Sequence, residues 1–277
     1  MQLFLIRHAE TVDNVARILA GTTDSPLTTH GASQIDRLGQ HFKSEGVRFT
    51  HIFASDLSRA ALTAEGIRRH QPDPTALAAV ASALIRERDF GSFEGQKWST
   101  SYQSQAVQVI PETDQSIMLR SNTFINDHLL PLVLDENRNN HVVAVVSHGI
   151  TLQFLWKCIR ALFHQDLISF VPGASSHESD TRFISPTWAN TGFLELCIQH
   201  PATCLPPPVV PRDATHGGVP PPSNPVPEDT SRPLSGWLLE IRAINSRAHL
   251  AQLRRVQGGI GSGTYDKRQR RIDNFFK

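Results

Sequence analysis

Large apolar residues fall in short runs separated by polar stretches. Leu3-Phe4-Leu5-Ile6, His51-Ile52-Phe53-Ala54 and Val142 to Val146 each have the length of a buried strand. Between them the apolar positions recur at helical spacing. Ile35, Leu38 and Phe42 mark one face of a helix over Gly31 to Ser44. A second helix runs from about Ser58 to His70, where Gln71-Pro72-Asp73-Pro74 breaks it. A third is predicted over Asp114 to Leu134, with Met118, Phe124, Ile125 and Leu129 turned inward. A fourth covers Thr151 to Phe163, where Leu152, Leu155, Trp156 and Ile159 form a core stripe. A short strand near Ala83 to Ile85, strands over Gly192 to Ile198 and Gly236 to Ile244, and a short helix near Ser246 to Val256 complete the set. Strands alternating with helices predict an α/β protein, here a three-layer α/β/α sandwich forming a single catalytic domain.

Three stretches interrupt this pattern. Lys97 to Glu112 is polar and reads as a lid or substrate loop. Pro201 to Pro233 is rich in proline and poor in large apolar side chains, so it is expected to be a disordered insertion. It reads either as a polyproline ligand or as a plain solvated excursion. Residues 257–277 form a glycine-rich, basic tail. The catalytic domain is therefore expected at 1–200 and 235–256, with the insertion at 201–234.

Composition narrows the function without naming it. The 277 residues carry 27 Lys and Arg against 26 Asp and Glu, a net charge of +1. No global charge draws the chain to nucleic acid or a membrane surface. Cys158, Cys197 and Cys204 are odd in number and lack metal-ligand spacing, which suggests free thiols in a reducing compartment, cytoplasmic or nuclear. The start does not read as a signal peptide, and no stretch approaches the roughly 20 apolar residues of a membrane span.

The chemistry begins at the end of the first run. Arg7-His8 follows Ile6, at the carboxyl end of a buried strand, where open α/β proteins place ligands. An imidazole there can attack phosphorus while a guanidinium grips the phosphoryl oxygens. Four further segments supply matching parts. Ser55 to Ala64 runs from strand into helix and carries Arg59; Glu87 lies in Arg86-Glu87-Arg88-Asp89-Phe90-Gly91; Ser147-His148-Gly149 ends the valine run; and Asn14 lies seven residues after Arg7.

Together with Gly21 through Thr28, these segments, in this order, resemble the histidine phosphatase superfamily, the phosphoglycerate mutase-like proteins. The resemblance covers roughly residues 1 to 200 and implies that fold. It implies that His8 is a nucleophile that becomes phosphohistidine. It implies that Arg7, Asn14, Thr23, Arg59 and His148 bind the phosphoryl group, and that Glu87 protonates the leaving oxygen. Glu10, Asp56, Asp89 and Glu94 are nearby alternatives for that acid. No metal or other cofactor is implied, because two guanidiniums and an imidazole suit the equatorial oxygens. Ala9 stands where many members have glycine, which leans toward the phosphatase branches. The expected activity is hydrolysis of a small phosphate ester. The rivals are phosphoglycerate mutase-type transfer and a phosphate-binding scaffold.

The chain ends Lys267-Arg268-Gln269-Arg270-Arg271-Ile272-Asp273-Asn274-Phe275-Phe276-Lys277. Gln269, Ile272, Phe275 and Phe276 resemble the box of PCNA-interacting peptides, which implies a sliding clamp as partner. The alternative is that the Phe pair docks on its own domain. The basic cluster reads as a nuclear import signal or a solvated run.

Overall fold

The computed structural model describes residues 1–98, 110–137, 140–171, 186–200, 232–255 and 259–266. Seven strands form one mixed sheet: β1 (Gln2–Arg7), β2 (His51–Ser55), β3 (Ala79–Ser82), β4 (Val142–Ser147), β5 (Ile168–Phe170), β6 (Phe193–Gln199) and β7 (Leu238–Ser246). Their order is β3-β2-β4-β1-β6-β7-β5. β1 lies at the centre, parallel to β4 with Arg7 opposite Ser147, and antiparallel to β6. β2 is parallel to both β4 and β3. The carboxyl ends of β1, β2 and β4 therefore meet on one edge of the sheet.

Both faces of the sheet are covered, which explains the unbroken apolar runs. Alternate side chains of β1 point to opposite sides. Leu3 and Leu5 enter a core with helices α4 (Asp114–Phe124), α5 (Leu130–Leu134) and α6 (Gly149–Ala161). Phe4 and Ile6 enter a second core with α2 (Thr29–Ser44) and α3 (Ser58–Arg69). The three-layer α/β/α sandwich expected from the pattern is what forms, as a single domain. The Phe4 ring meets Phe42, Phe49 and Phe193 edge-on at centroid separations of 5.3, 5.4 and 5.8 Å. Phe4→Ala is expected to cost about 3–5 kcal/mol, by transfer and cavity terms together. A urea midpoint within experimental error of wild type would contradict this core.

Several elements differ from the sequence expectation. The predicted strand at Ala83 to Ile85 is a 3-10 turn, started by the Ser82 hydroxyl accepting from Leu84 N. The strand lies just before it, at β3, whose side chains are mostly exposed, so hydrophobicity pointed past it. The helix predicted over Asp114 to Leu134 contains a π turn at Ile125–Leu129. Pro131 has no N–H for an ordinary helical bond, and the wider turn absorbs the loss. Met118 is exposed; the inward face of α4 is Ile117, Ser121 and Phe124. The helix expected near Ser246 to Val256 is only a 3-10 turn at Ala248–Leu250. α1 (Val12–Ala16) and β5 are too short to leave a periodic signal.

Cys158 and Cys197 are buried free thiols. Of the insertion expected at 201–234, residues 201–231 lie outside the described residues, as do Cys204 and the tail from Lys267. Its end is part of the domain, since Leu234 is buried in the core and its N donates to Leu162 O at 3.1 Å. Among the described residues, no helix is long and apolar enough to cross a membrane.

Candidate active site

β1 delivers His8 to the sheet edge and the surroundings fix its peptide. His8 N donates to Ser147 O at 2.9 Å. Its carbonyl accepts from Asn190 Nδ2 at 3.1 Å and from Thr191 N at 3.3 Å. The next peptide is held by Ala9 N donating to Thr63 Oγ1 at 3.0 Å. The ring is almost wholly buried, and Nδ1 lies 2.7 Å from Ala9 O. Only a protonated Nδ1 can donate to that carbonyl, so a neutral His8 presents its lone pair at Nε2. Burial, with Arg59 and Arg7 adding to it, pushes His8 well below the usual histidine range. The ring is therefore neutral at physiological pH.

Arg59, in the first turn of α3, is 2% exposed. Its guanidinium donates to Gly21 O at 2.6 Å, to Thr23 O at 2.8 Å and to His148 Nδ1 at 3.2 Å. Because His148 accepts at Nδ1, its neutral tautomer carries the proton on Nε2. Burial, then His8, Arg59 and Arg7, hold His148 well below its ordinary value. The two imidazoles are 5.0 Å apart, centroid to centroid. Arg7 donates through Nη1 to Trp188 O at 2.7 Å. Arg7 Nε and His148 Nε2 are buried with no hydrogen-bond partner among the described residues. Two orphaned donors beside a lone-pair nitrogen make a site for an anion with several oxygens.

Glu87 sits at the amino end of α6. Its carboxylate accepts from Arg88 N at 2.9 Å and from Ile150 N and Thr151 N at 3.3 Å each. It lines a cavity of about 490 Å³ together with Arg7, His8, Asn14 and Arg59. The other carboxylates weighed from sequence have structural partners. Asp56 is bound at 2.6 Å by two nitrogens of Arg86, and that hydrogen bonding holds its carboxyl below the usual range. Asp89 accepts from Gly91 N. Glu10 accepts from Thr28 Oγ1 and pairs with Arg255. Glu94 binds the backbone and hydroxyl groups of Thr22 and Thr23. Burial pushes Glu94 up, and the hydrogen bonds from Thr23 and Thr22 outweigh it, leaving the carboxyl below its usual value.

Asn14 Oδ1 accepts from Thr11 N at 3.2 Å and from Asn190 Nδ2 at 2.9 Å, which leaves its own Nδ2 as the donor for the cavity. Thr23 differs from expectation. Its hydroxyl donates to Glu94 at 2.5 Å, and it reaches the site through the carbonyl that holds Arg59. Gly21 has φ of +55°, a backbone conformation that favours glycine, and a Cβ there would displace the Glu94 carboxylate. Gln269, Ile272, Phe275 and Phe276 lie outside the described residues.

Supporting residues not singled out from sequence are Thr63, Trp188, Asn190 and Thr191. Thr63 was detectable: it lies four residues after Arg59, on the same helix face. The C-terminal segment also reaches this support. His249 Nε2 lies 3.0 Å from Thr191 Oγ1, whose backbone N also donates to Arg7 O at 3.1 Å. Burial, with His41, lowers His249 to about 4. Thr29 N donates to Gly263 O at 3.0 Å and Tyr265 N to Leu27 O at 2.9 Å.

Known proteins resemble this chain over part of its length. A broad-specificity phosphatase of Saccharomyces cerevisiae is 26% identical over 171 residues, which cover 60% of this chain and 73% of that protein. The phosphoglycerate mutase GpmB of Klebsiella pneumoniae, so named with the qualifier "Probable", is 39% identical over 94 residues. Those residues are 34% of this chain and span only 41% of the mutase's length. Among solved structures, a mycobacterial glucosyl-3-phosphoglycerate phosphatase with VO3 has a TM-score of 0.52 at 19% identity, over 71% of this chain and 92% of its own. A phosphoglycerate mutase of Bacillus anthracis has a TM-score of 0.52 at 20% identity, over 71% and 87%. Identities that low show a shared fold and no shared activity. The model of the histidine phosphatase superfamily, branch 1, matches residues 3–176, which carry every cavity-lining residue except Thr187 and Trp188, and the chain belongs to that superfamily.

Proposed function

We propose that the protein hydrolyses a phosphomonoester through a phosphohistidine on His8. The observation that carries this reading is the fixed tautomer of His8: Nδ1 faces the Ala9 carbonyl, so Nε2 is the nucleophile, in a cavity it shares with the buried Arg59 and the half-buried Arg7. His8 Nε2 attacks phosphorus as the ester P–O bond breaks. The transferred group takes up donors from Arg7 Nε, His148 Nε2, Arg59 and Asn14 Nδ2. These are fixed before substrate arrives, so little reorganisation accompanies the developing charge. Glu87, in its protonated form, gives its proton to the departing alkoxide. The resulting carboxylate then takes a proton from water as that water attacks phosphorus, returning neutral His8 and free phosphate.

The assignment of Glu87 has its own test. Glu87→Gln is expected to slow alkyl phosphates by about 100-fold or more and 4-nitrophenyl phosphate by less than about tenfold, since a good leaving group needs little protonation. Equal losses on both substrates would remove Glu87 from the role. The mutase reading draws on GpmB and on the same residues. Free phosphate released without bisphosphoglycerate supports hydrolysis, and isomerisation that depends on bisphosphoglycerate supports the mutase.

The tail supports a separable role. Gln269, Ile272, Phe275 and Phe276 match a clamp-binding peptide, and the basic residues from Lys267 to Arg271 suit a nuclear location. Loss of clamp pull-down in Phe275→Ala/Phe276→Ala, with phosphatase activity kept, would support both parts. Clamp binding without catalysis in wild type would favour the scaffold.

A further inference from the structure

Beyond the phosphoryl cradle the same cavity is walled differently. Ile18, Leu19, Phe90 and Trp98 line it. Trp98 is 55% exposed, a large apolar side chain with one side open to solvent. Its backbone is nevertheless pinned. Trp98 N donates to Arg17 O at 3.0 Å, Leu19 N to Gln96 O at 2.9 Å and Gly95 N to Leu19 O at 2.9 Å. Ile18 and Lys97 form an antiparallel bridge between them. An indole held at a cavity wall with open area gains free energy when another apolar surface covers it.

The cavity also holds a cation beyond the cradle: Arg88 pairs with Asp114, its guanidinium carbon stands 5.7 Å from the centre of the Phe154 ring, and its buried Nε has no hydrogen-bond partner among the described residues.

We propose that the preferred substrate is a small monophosphate ester of an alcohol bearing an aromatic ring, with the ring covered by Trp98 and Phe90. This rests on the phosphatase reading and narrows it.

Two alkyl esters with similar leaving groups separate ring recognition from leaving-group chemistry: propyl phosphate and 3-phenylpropyl phosphate. In wild type, kcat/KM for the phenylpropyl ester is expected to exceed that of the propyl ester by about tenfold or more, a typical gain for covering one aromatic ring. Trp98→Ala is expected to bring the phenylpropyl-to-propyl ratio close to one, mainly by raising KM for the phenylpropyl ester. Each ratio is taken within one protein, so a partly unfolded sample cannot imitate the effect. A wild-type ratio near one, or a ratio untouched by Trp98→Ala, would overturn the proposal while leaving hydrolysis intact. If wild type hydrolysed neither ester and accumulated no acid-labile phosphate, the phosphatase reading would fail and this proposal with it.

Discussion

His8→Ala is expected to lower turnover by about four orders of magnitude or more, as removal of a covalent nucleophile does elsewhere. The loss should fall on kcat. Arg7, Arg59 and His148 are held by Trp188 O, Gly21 O, Thr23 O and one another, none of them through the His8 side chain. Inorganic phosphate or vanadate should therefore still bind the variant within about tenfold of wild type, a difference of about 1.4 kcal/mol. Rapid quenching of wild type into alkali should trap phosphate that is stable to base and labile to acid, and peptide mapping should place it on His8. Turnover within tenfold of wild type in His8→Ala would refute the covalent mechanism outright.

Arg59→Ala is expected to harm both activity and stability. Loss of one preorganised donor to developing charge costs about 100- to 1000-fold in kcat. The same guanidinium satisfies the buried Gly21 carbonyl and His148 Nδ1, and also the carbonyl of the exposed Thr23. Leaving buried acceptors unpaired costs about 1–3 kcal/mol each, reduced where water enters the space. A fall in both the urea midpoint and kcat is the expected pair of results. Arg59→Lys should recover little, because an ammonium has three donors at one point and cannot span three separated acceptors. Full recovery of kcat by lysine would show that charge alone matters at this position, against the fork geometry.

Much of this site was legible because its residues occupy places that strand and helix patterns mark. Arg7 and His8 follow one apolar run, His148 follows another, and Arg59 opens a helix after a third. Those runs are readable because each strand is buried on both faces. What escaped lies where side chains act through loops and carbonyls. Thr23 was expected to offer its hydroxyl, yet its carbonyl does the holding while Glu94 takes the hydroxyl. Trp188 and Thr191 hold Arg7 and His8 through backbone groups and Asn190 through its side-chain amide, all in the turn before β6, and nothing in their periodicity marks them. The same limit explains β3. An exposed edge strand carries no hydrophobic signature, so the neighbouring Leu84 and Ile85 drew the strand assignment toward themselves.

The central position of β1 has a practical consequence. Its antiparallel neighbour β6 begins at Phe193, beyond residue 176 where the superfamily match stops, and β7 pairs in turn with β6. A fragment trimmed to the matched region would strip the nucleophile's own strand of half its ladder and bare an apolar edge to solvent. Such a truncated fragment should self-associate rather than dissolve as a working minimal enzyme. Anyone wishing to study catalysis without the tail should cut after Asp266.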